Sequence, residues 1–362
     1  MSESTDKTPG NRVSRKAKFF LLLAVAAGLS AVSLWFTLKP MDVSDRMFQG
    51  KPESEWIKGL KYADDDQAKE WRSFGEEGVQ VLIRGLQRAD RPGERAYRRL
   101  YRRVPGFVRG WLPSPRADST RNTRMCVVSL LSRLGNDAKS AVPIMIQTLN
   151  HDEADGVRQI VINYFTSTED ENCLLNQIPA REKANVLPAL IRALQDQSNW
   201  GLRNNAASAL RWFPEQRKIV APVLVTALRD PKTQVRLLAA IALNRVDPDA
   251  AQKARAVAVV TAILKDPDDQ VASRAAAALR FFAADAAVAV PALIDCLDST
   301  NTLIACEAIW SLEWSPPEFK PYADKIVPAL EKTAMRDDHV GRYAKVALKR
   351  FESSLIPAQG TK

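Results

Sequence analysis

Two sets of side chains in this sequence have the types and spacing to do chemistry, and in both that chemistry is recognition. Between Arg84 and Arg124 stand 12 arginines, no lysine and three acids (Asp90, Glu94 and Asp118), a local charge of +9 in a chain whose net charge is +10. Arg95, Arg98, Arg99, Arg102 and Arg103 surround an apolar stripe of Tyr97, Leu100, Tyr101 and Val104 at helical spacing, and Arg109 follows the break at Pro105-Gly106. A guanidinium grips carboxylate or phosphate through a planar bidentate fork, so this stretch suits an anionic surface. The second set comprises Arg211-Trp212, Asn244-Arg245, Arg280-Phe281 and Glu313-Trp314, each at the end of an amphipathic run. Arg211, Trp212, Arg245, Arg280, Phe281 and Trp314 form a ladder of cations and aromatic faces that could take a peptide or a glycan, or pack inside the molecule.

Catalytic arrangements do not emerge from the rest of the chain. Its two histidines, His151 and His339, are far apart and lie in no HExxH or HxH pattern, and no P-loop, dinucleotide-binding glycine fingerprint, GxSxG or CxxC occurs. Asp64, Asp65 and Asp66 read as a helix cap rather than a metal cluster. Cys126, Cys173, Cys296 and Cys306 have spacing unlike a disulfide framework, although Cys296 and Cys306 fall on paired helices. No cofactor or metal is expected.

The elements that position these residues are best seen in residues 216–246, QRKIVAPVLVTALRDPKTQVRLLAAIALNRV. Val220, Val223, Leu224 and Leu228 recur at helical spacing, as do Val235, Leu238, Ala239, Ala242, Leu243 and Val246, and Asp230-Pro231 marks the turn between the two runs. Pro222 is expected in the first turn of its helix, where a missing N–H is tolerated. One such hairpin buries only part of its apolar surface, so it needs neighbours. They are present: Pro143, Pro188, Pro222, Pro291 and Pro328, with Val259 in one slot, recur at intervals of 45, 34, 37, 32 and 37 residues. In the second runs a shared leader (Thr123, Val157, Leu202, Val235, Val271, Ile304, Val340) is followed eight residues later by Leu131, Phe165, Leu210, Leu243, Leu279, Leu312 or Leu348.

This pattern resembles the HEAT-repeat family, most plainly in AVPIMIQTL (141–149), APVLVTALRDPKTQVRLLAAIAL (221–243) and AVPALIDCLD (289–298). The likeness covers residues 52–352, departing at Val259, which replaces the proline, and at Ala272, Ala305 and Gly341, which replace the arginine after the leader. It implies an all-α fold, an α-solenoid of about seven to eight helical hairpins, and by itself no particular activity. Asp152 and Arg158, like Asp230 and Arg236, stand six apart and suit structural ion pairs tying turn to helix and to the next repeat.

Residues 19–38, FFLLLAVAAGLSAVSLWFTL, carry no charge and are long enough for one bilayer crossing. Five basic residues precede the run, within a basic tail of residues 1–18, and three follow it between 39 and 56, which favours a cytoplasmic N-terminus and an exported body. A signal peptide cleaved after Ala31-Val32-Ser33 is the rival, opposed by the continuation of the run through Leu34, Trp35 and Phe36. The expected order is tail, signal-anchor helix, a short connection at 39–51, the repeat array at 52–352 with its arginine-rich insertion at 89–120, and a frayed tail at 353–362. Gly50-Lys51 to Trp56 also resembles a stretch of bacterial HEAT-repeat proteins that carry an N-terminal anchor.

Three functions remain open on these grounds. The leading one is a membrane-tethered, non-catalytic scaffold that holds a protein or polymer partner on its concave or rim surface. The second is a structural element docked by its arginines on anionic lipid, where basic residues contribute about 1 kcal/mol each. The third is an enzyme of the HEAT-like lyase type. An exported body argues against nucleic acid and leaves an acidic cell-envelope polymer as the other anionic partner.

Overall fold

The computed structural model describes residues 45–89, 101, 103–105, 109, 117–166, 174–313 and 319–355. The expected signal anchor at 19–38, most of the arginine-rich insertion and Trp314 fall outside them, as do Arg95, Arg98, Arg99 and Arg102. Among the described residues, no helix is long and apolar enough to cross a membrane.

Two compact units divide the chain, Met1–Glu55 and Trp56–Lys362. In the first, β1 (Met47–Phe48) pairs antiparallel with β2 (Lys51–Pro52). Gln49 and Gly50 turn between them at φ 47° and 76°, the left-handed pair that a tight hairpin requires. Asp45 accepts the backbone N–H of Ser54 at 3.1 Å, and the Arg46 carbonyl accepts that of Glu53 at 2.8 Å.

The second unit is all-α. After α1 (Glu53–Lys58), within which the boundary falls, come α2 (Asp65–Ser73) and α3 (Gly75–Ala89), then α4 (Ala117–Leu134), α5 (Val142–His151), α6 (Asp155–Thr166) and the one-turn α7 (Leu174–Gln177). The array continues through α8 (Ala180–Leu194), α9 (Trp200–Leu210), α10 (Arg217–Ala227), α11 (Thr233–Val246), α12 (Ala250–Ile263) and α13 (Asp269–Leu279). It ends with α14 (Val290–Leu297), α15 (Thr302–Glu313), α16 (Ala323–Ala334) and α17 (His339–Leu355). Seven described hairpins follow: α3 with α4, α5 with α6, α8 with α9, α10 with α11, α12 with α13, α14 with α15, and α16 with α17.

The second helices of these pairs, from α4 to α17, lie side by side in one continuous layer. The residues eight past each leader form its spine: Leu131, Phe165, Leu210, Leu243, Leu279 and Leu312 are fully buried. Lateral hydrogen bonds add to the apolar seam, as where the buried Ser311 hydroxyl of α15 donates to the Ala276 carbonyl of α13 at 2.6 Å. The first helices form the opposite layer, in which α10 and α12 part to leave a cleft of about 550 Å³ lined by Arg217, Lys218, Pro222, Asp247, Asp249 and Gln252. At the start of the array Trp56, Trp71 and Phe74 pack edge to face, with centroids 5.5 to 5.9 Å apart. Asp64 caps α2, accepting the N–H groups of Asp66 and Gln67 at 3.0 and 2.9 Å, the role its sequence position suggested.

Two expectations need correction. Pro222 is not in a first turn: α10 begins at Arg217, and Pro188, Pro222 and Pro328 are all interior to their helices. Each proline faces solvent, so water can satisfy the carbonyl that loses its partner. In α5 and α14, where Pro143 and Pro291 do open the helix, the preceding turns wind as 3₁₀ segments, Gly135–Ala141 and Arg280–Ala289.

The ion pairs also differ from expectation: Asp152 and Asp230 are bound by arginines of the preceding repeat, and Arg158 pairs with Asp155 of its own helix as well as with Asp196 of the next repeat. Arg124 binds Asp152 through Nε at 2.7 Å and Nη2 at 3.2 Å, and Arg203 binds Asp230 at 2.6 and 3.0 Å. Arg158 reaches Asp196 at 3.1 Å. These three arginines, each one residue past its leader, thus grip the turn aspartate of the following repeat. That aspartate also closes its own turn, Asp152 accepting the N–H of Ala154 at 2.8 Å, Asp196 that of Ser198 at 2.9 Å and Asp230 that of Lys232 at 2.8 Å. Arg203 adds a bond to the carbonyl of Asp196 in its own turn at 3.0 Å, so one side chain staples two turns. Arg236, expected to pair with the Asp230 carboxylate, donates to the Asp230 carbonyl at 2.9 Å instead.

Candidate functional site

The exposed face of the second-helix layer is built from positions that follow each buried stripe by a quarter turn. Across α6 and α9 it is an amide surface: Gln159 donates to Asn199 at 3.1 Å, and Asn205 to Asn163 at 3.1 Å. Its character changes at the end of α9. Trp212 is only 2% exposed, with the Arg211 guanidinium 5.0 Å and the Arg245 guanidinium 4.4 Å from its ring. The row continues sideways, since Asn244 donates to the Phe281 carbonyl at 3.0 Å, and Arg280 lies over the Phe281 ring at 5.0 Å. Arg280 also faces Glu307 at 3.6 Å. Burial raises the Glu307 carboxyl above its ordinary value, opposed by the Arg280 charge.

Of the residues the sequence singled out for this row, the structure brings Arg211, Trp212, Arg245, Arg280 and Phe281 together, but not in equal roles. Trp212 is a buried strut between two arginines, not a free stacking face. Phe281 is 63% exposed and is the open aromatic. The residues behind the row, Phe213, Val246 and Phe282, are buried. Farther along, Trp310 of α15 meets Tyr343 of α17 edge to face at 5.6 Å, and Leu303 and Val346 of the same two helices are half-exposed. Sequence reasoning missed this second aromatic group. Trp310 lies two residues before the shared Leu312, off the aligned rim position, and only lateral stacking reveals its partner.

Charge on this face is lopsided. The carboxylates of Glu307 and Glu313 are each engaged by an arginine, Arg280 and Arg350. Arg245 and Arg274 are exposed cations for which no ion-pair partner appears among the described residues. Of the arginine-rich insertion, Arg103 and Arg109 are exposed, and Arg109 donates through Nε to the Val104 carbonyl at 2.8 Å, closing the break after Pro105.

Cys296 and Cys306 are buried free thiols, and burial pushes Cys296 up to about 11, so it is protonated at neutral pH. Burial raises Cys306 and Cys126 as well. His151 ends α5 and His339 opens α17, the latter 6.3 Å from the Tyr343 ring. Among the described residues no three His, Cys, Asp or Glu side chains gather as a metal site would require.

Stacked helical hairpins joined laterally through their second helices define a helical repeat protein. Residues 175–244, from α7 to α11, match the family model for HEAT repeats, and the units there are HEAT repeats. No curated protein matches the chain. Among solved structures it is similar to YibA of Escherichia coli, at 16% identity over 72% of this chain and 98% of that one, with a TM-score of 0.40. It is also similar to human deoxyhypusine hydroxylase, solved with glycerol, at 15% identity over 77% of this chain and 97% of that one, with a TM-score of 0.25.

Proposed function

We propose that this protein is a membrane-tethered, non-catalytic HEAT-repeat scaffold that holds a protein or polymer partner on the exposed face of its second helices. The observation that carries the reading is the row Arg211, Trp212, Arg245, Phe281 and Arg280. There, guanidinium groups and aromatic rings are fixed by one another at a surface with an excess of cations. Residues of these types dominate binding energy when a partner removes them from water. The anchor rests on the uncharged run 19–38 and on the basic residues before it, which orient the array toward the extracytoplasmic side.

Proximity labelling with the intact chain in its native membrane tests the reading. A protein recovered repeatedly, and lost when the row is altered, is the expected result. Labelled lipid with no recurrent protein would instead favour docking of the arginine-rich insertion on anionic headgroups. Retention of the chain in the membrane pellet after alkaline extraction, and release of a variant lacking residues 1–38, is the expected behaviour of the anchor.

A further inference from the structure

We infer that the partner segment is an acidic stretch of polypeptide carrying a bulky apolar side chain, seated on Phe281 with its carboxylates on Arg245 and Arg274. The inference rests on the scaffold reading and specifies its ligand. Arg245 lies over the Trp212 ring at 4.4 Å, and a stacked guanidinium keeps its N–H edge available for a planar acceptor. Trp212 thereby holds Arg245 in place without itself meeting the ligand, since it is 2% exposed. Arg274 stands seven residues before Phe281 on the same face of α13 and the turn that continues it, a distance of about 10 Å at the helical rise. An extended chain covers that distance in about three residues. The geometry therefore asks for an acid and an apolar side chain about three positions apart.

Phe281 supplies the apolar anchor point. It is 63% exposed, Arg280 covers one side of its ring at 5.0 Å, and the Asn244 amide fixes its carbonyl at 3.0 Å. The surroundings select for acid. Glu307 on the neighbouring helix is already paired with Arg280, so against a basic segment Arg245 and Arg274 would remain unmatched. Like-charge contact of that kind costs specificity and encounter rate alike.

The test uses the full chain in detergent micelles and fluorescence anisotropy with three synthetic 12-residue peptides. One carries Glu and Phe three apart, one has Lys in place of each Glu, and one has Ala in place of each Phe. The first should bind at least tenfold more tightly than either control and weaken with salt. Arg274→Glu and Phe281→Ala should each reduce that binding at least tenfold with thermal unfolding unchanged, and Arg274→Glu should gain affinity for the lysine peptide. Equal binding of acidic and basic peptides, binding of none, or preference for anionic vesicles or an oligonucleotide over the acidic peptide would overturn the inference. So would unchanged binding in both variants. A recurrent partner whose cross-links avoid Phe281 would sink this inference and leave the scaffold reading standing.

Discussion

Asp230 does two jobs with one carboxylate, closing its turn on the Lys232 N–H and receiving both arms of Arg203 from the preceding repeat. The Arg203 and Asp230 side chains are 4% and 9% exposed, so neither charge has water to replace a lost partner. Asp230→Ala should therefore lower unfolding free energy by about 3 kcal/mol, the lower end of what breaking a buried pair costs because the turn lies near the surface. Lys332→Ala, which removes an equally short contact to Asp298 between side chains 69% and 66% exposed, should cost less than about 1 kcal/mol. Urea denaturation of the two variants separates these outcomes. The same pair sets a pH dependence. Burial opposes ionisation of Asp230, but the Arg203 hydrogen bonds, the Lys232 N–H and the charges of Arg203 and Arg236 outweigh it and hold its carboxyl below the ordinary value. Asp196 is lowered likewise, burial being outweighed by Ser198 and Arg158. The unfolded chain then takes up protons first as pH falls below about 4, so the stabilisation is complete above that range and is lost beneath it. The urea midpoint should be flat above about pH 5 and drop below about pH 4, and the drop should be shallower in Arg203→Met/Asp230→Leu.

At the scale of the element, the helices were legible because burial follows one stripe per helix and a shared leader set the register. Val157, Leu202, Val235 and Val340 are all fully buried, as the spacing requires. What one helix's pattern cannot contain is its lateral neighbour. Arg124, Arg158 and Arg203 were visible in the sequence one residue past their leaders, yet each has an acceptor 27 to 38 residues away, across a repeat boundary. The depth of Trp212 was hidden for the same reason, because Arg245 of the next repeat covers its ring. Trp212→Ala should accordingly cost about 3–5 kcal/mol, the range for a buried aromatic, whereas Phe281→Ala should stay within about 0.5 kcal/mol. Thermal unfolding with a fluorescent dye decides between these and a Trp212 that serves only binding. Gly341 shows how an apparent lapse in the repeat pattern has a local cause. It stands where other repeats have arginine, and a Cβ there would overlap the Arg336 carbonyl oxygen, while its N–H donates to Asp338 at 3.0 Å. Arg336 reaches back from this turn toward the Leu297 carbonyl at 3.4 Å, so the tie to the neighbouring repeat comes from the turn, not the helix. Gly341→Ala should destabilise by about 1–3 kcal/mol through overpacking of backbone, and Gly341→Arg should not restore a ladder.

Among the described residues of the repeat array, each hairpin packs chiefly on its neighbours, so stability should accumulate unit by unit and not depend on one central core. The last described hairpin carries a charged outer stripe. On α17 the stripe Arg342, Lys345, Lys349 and Glu352 is exposed and charged, whereas Val340, Ala344, Ala347 and Phe351 pack inward. Removing residues 319–362 therefore has two separable consequences. Hairpins from α3 to α15 lose only the contacts that α14 and α15 make with α16 and α17, so helix content per residue should persist by circular dichroism. The newly bared surface of α14 and α15 is apolar and lacks the charged stripe that keeps α17 in water, so the shortened chain should unfold at lower urea and self-associate on size exclusion. Restoring the α17 stripe by placing charges on the bared face of α15 should reduce that association without recovering the lost stability, because solubility depends on the outer face and stability on the inner one. Complete loss of helix on truncation would instead mean that the array folds as a single cooperative body, and the unit-by-unit account would have to be abandoned.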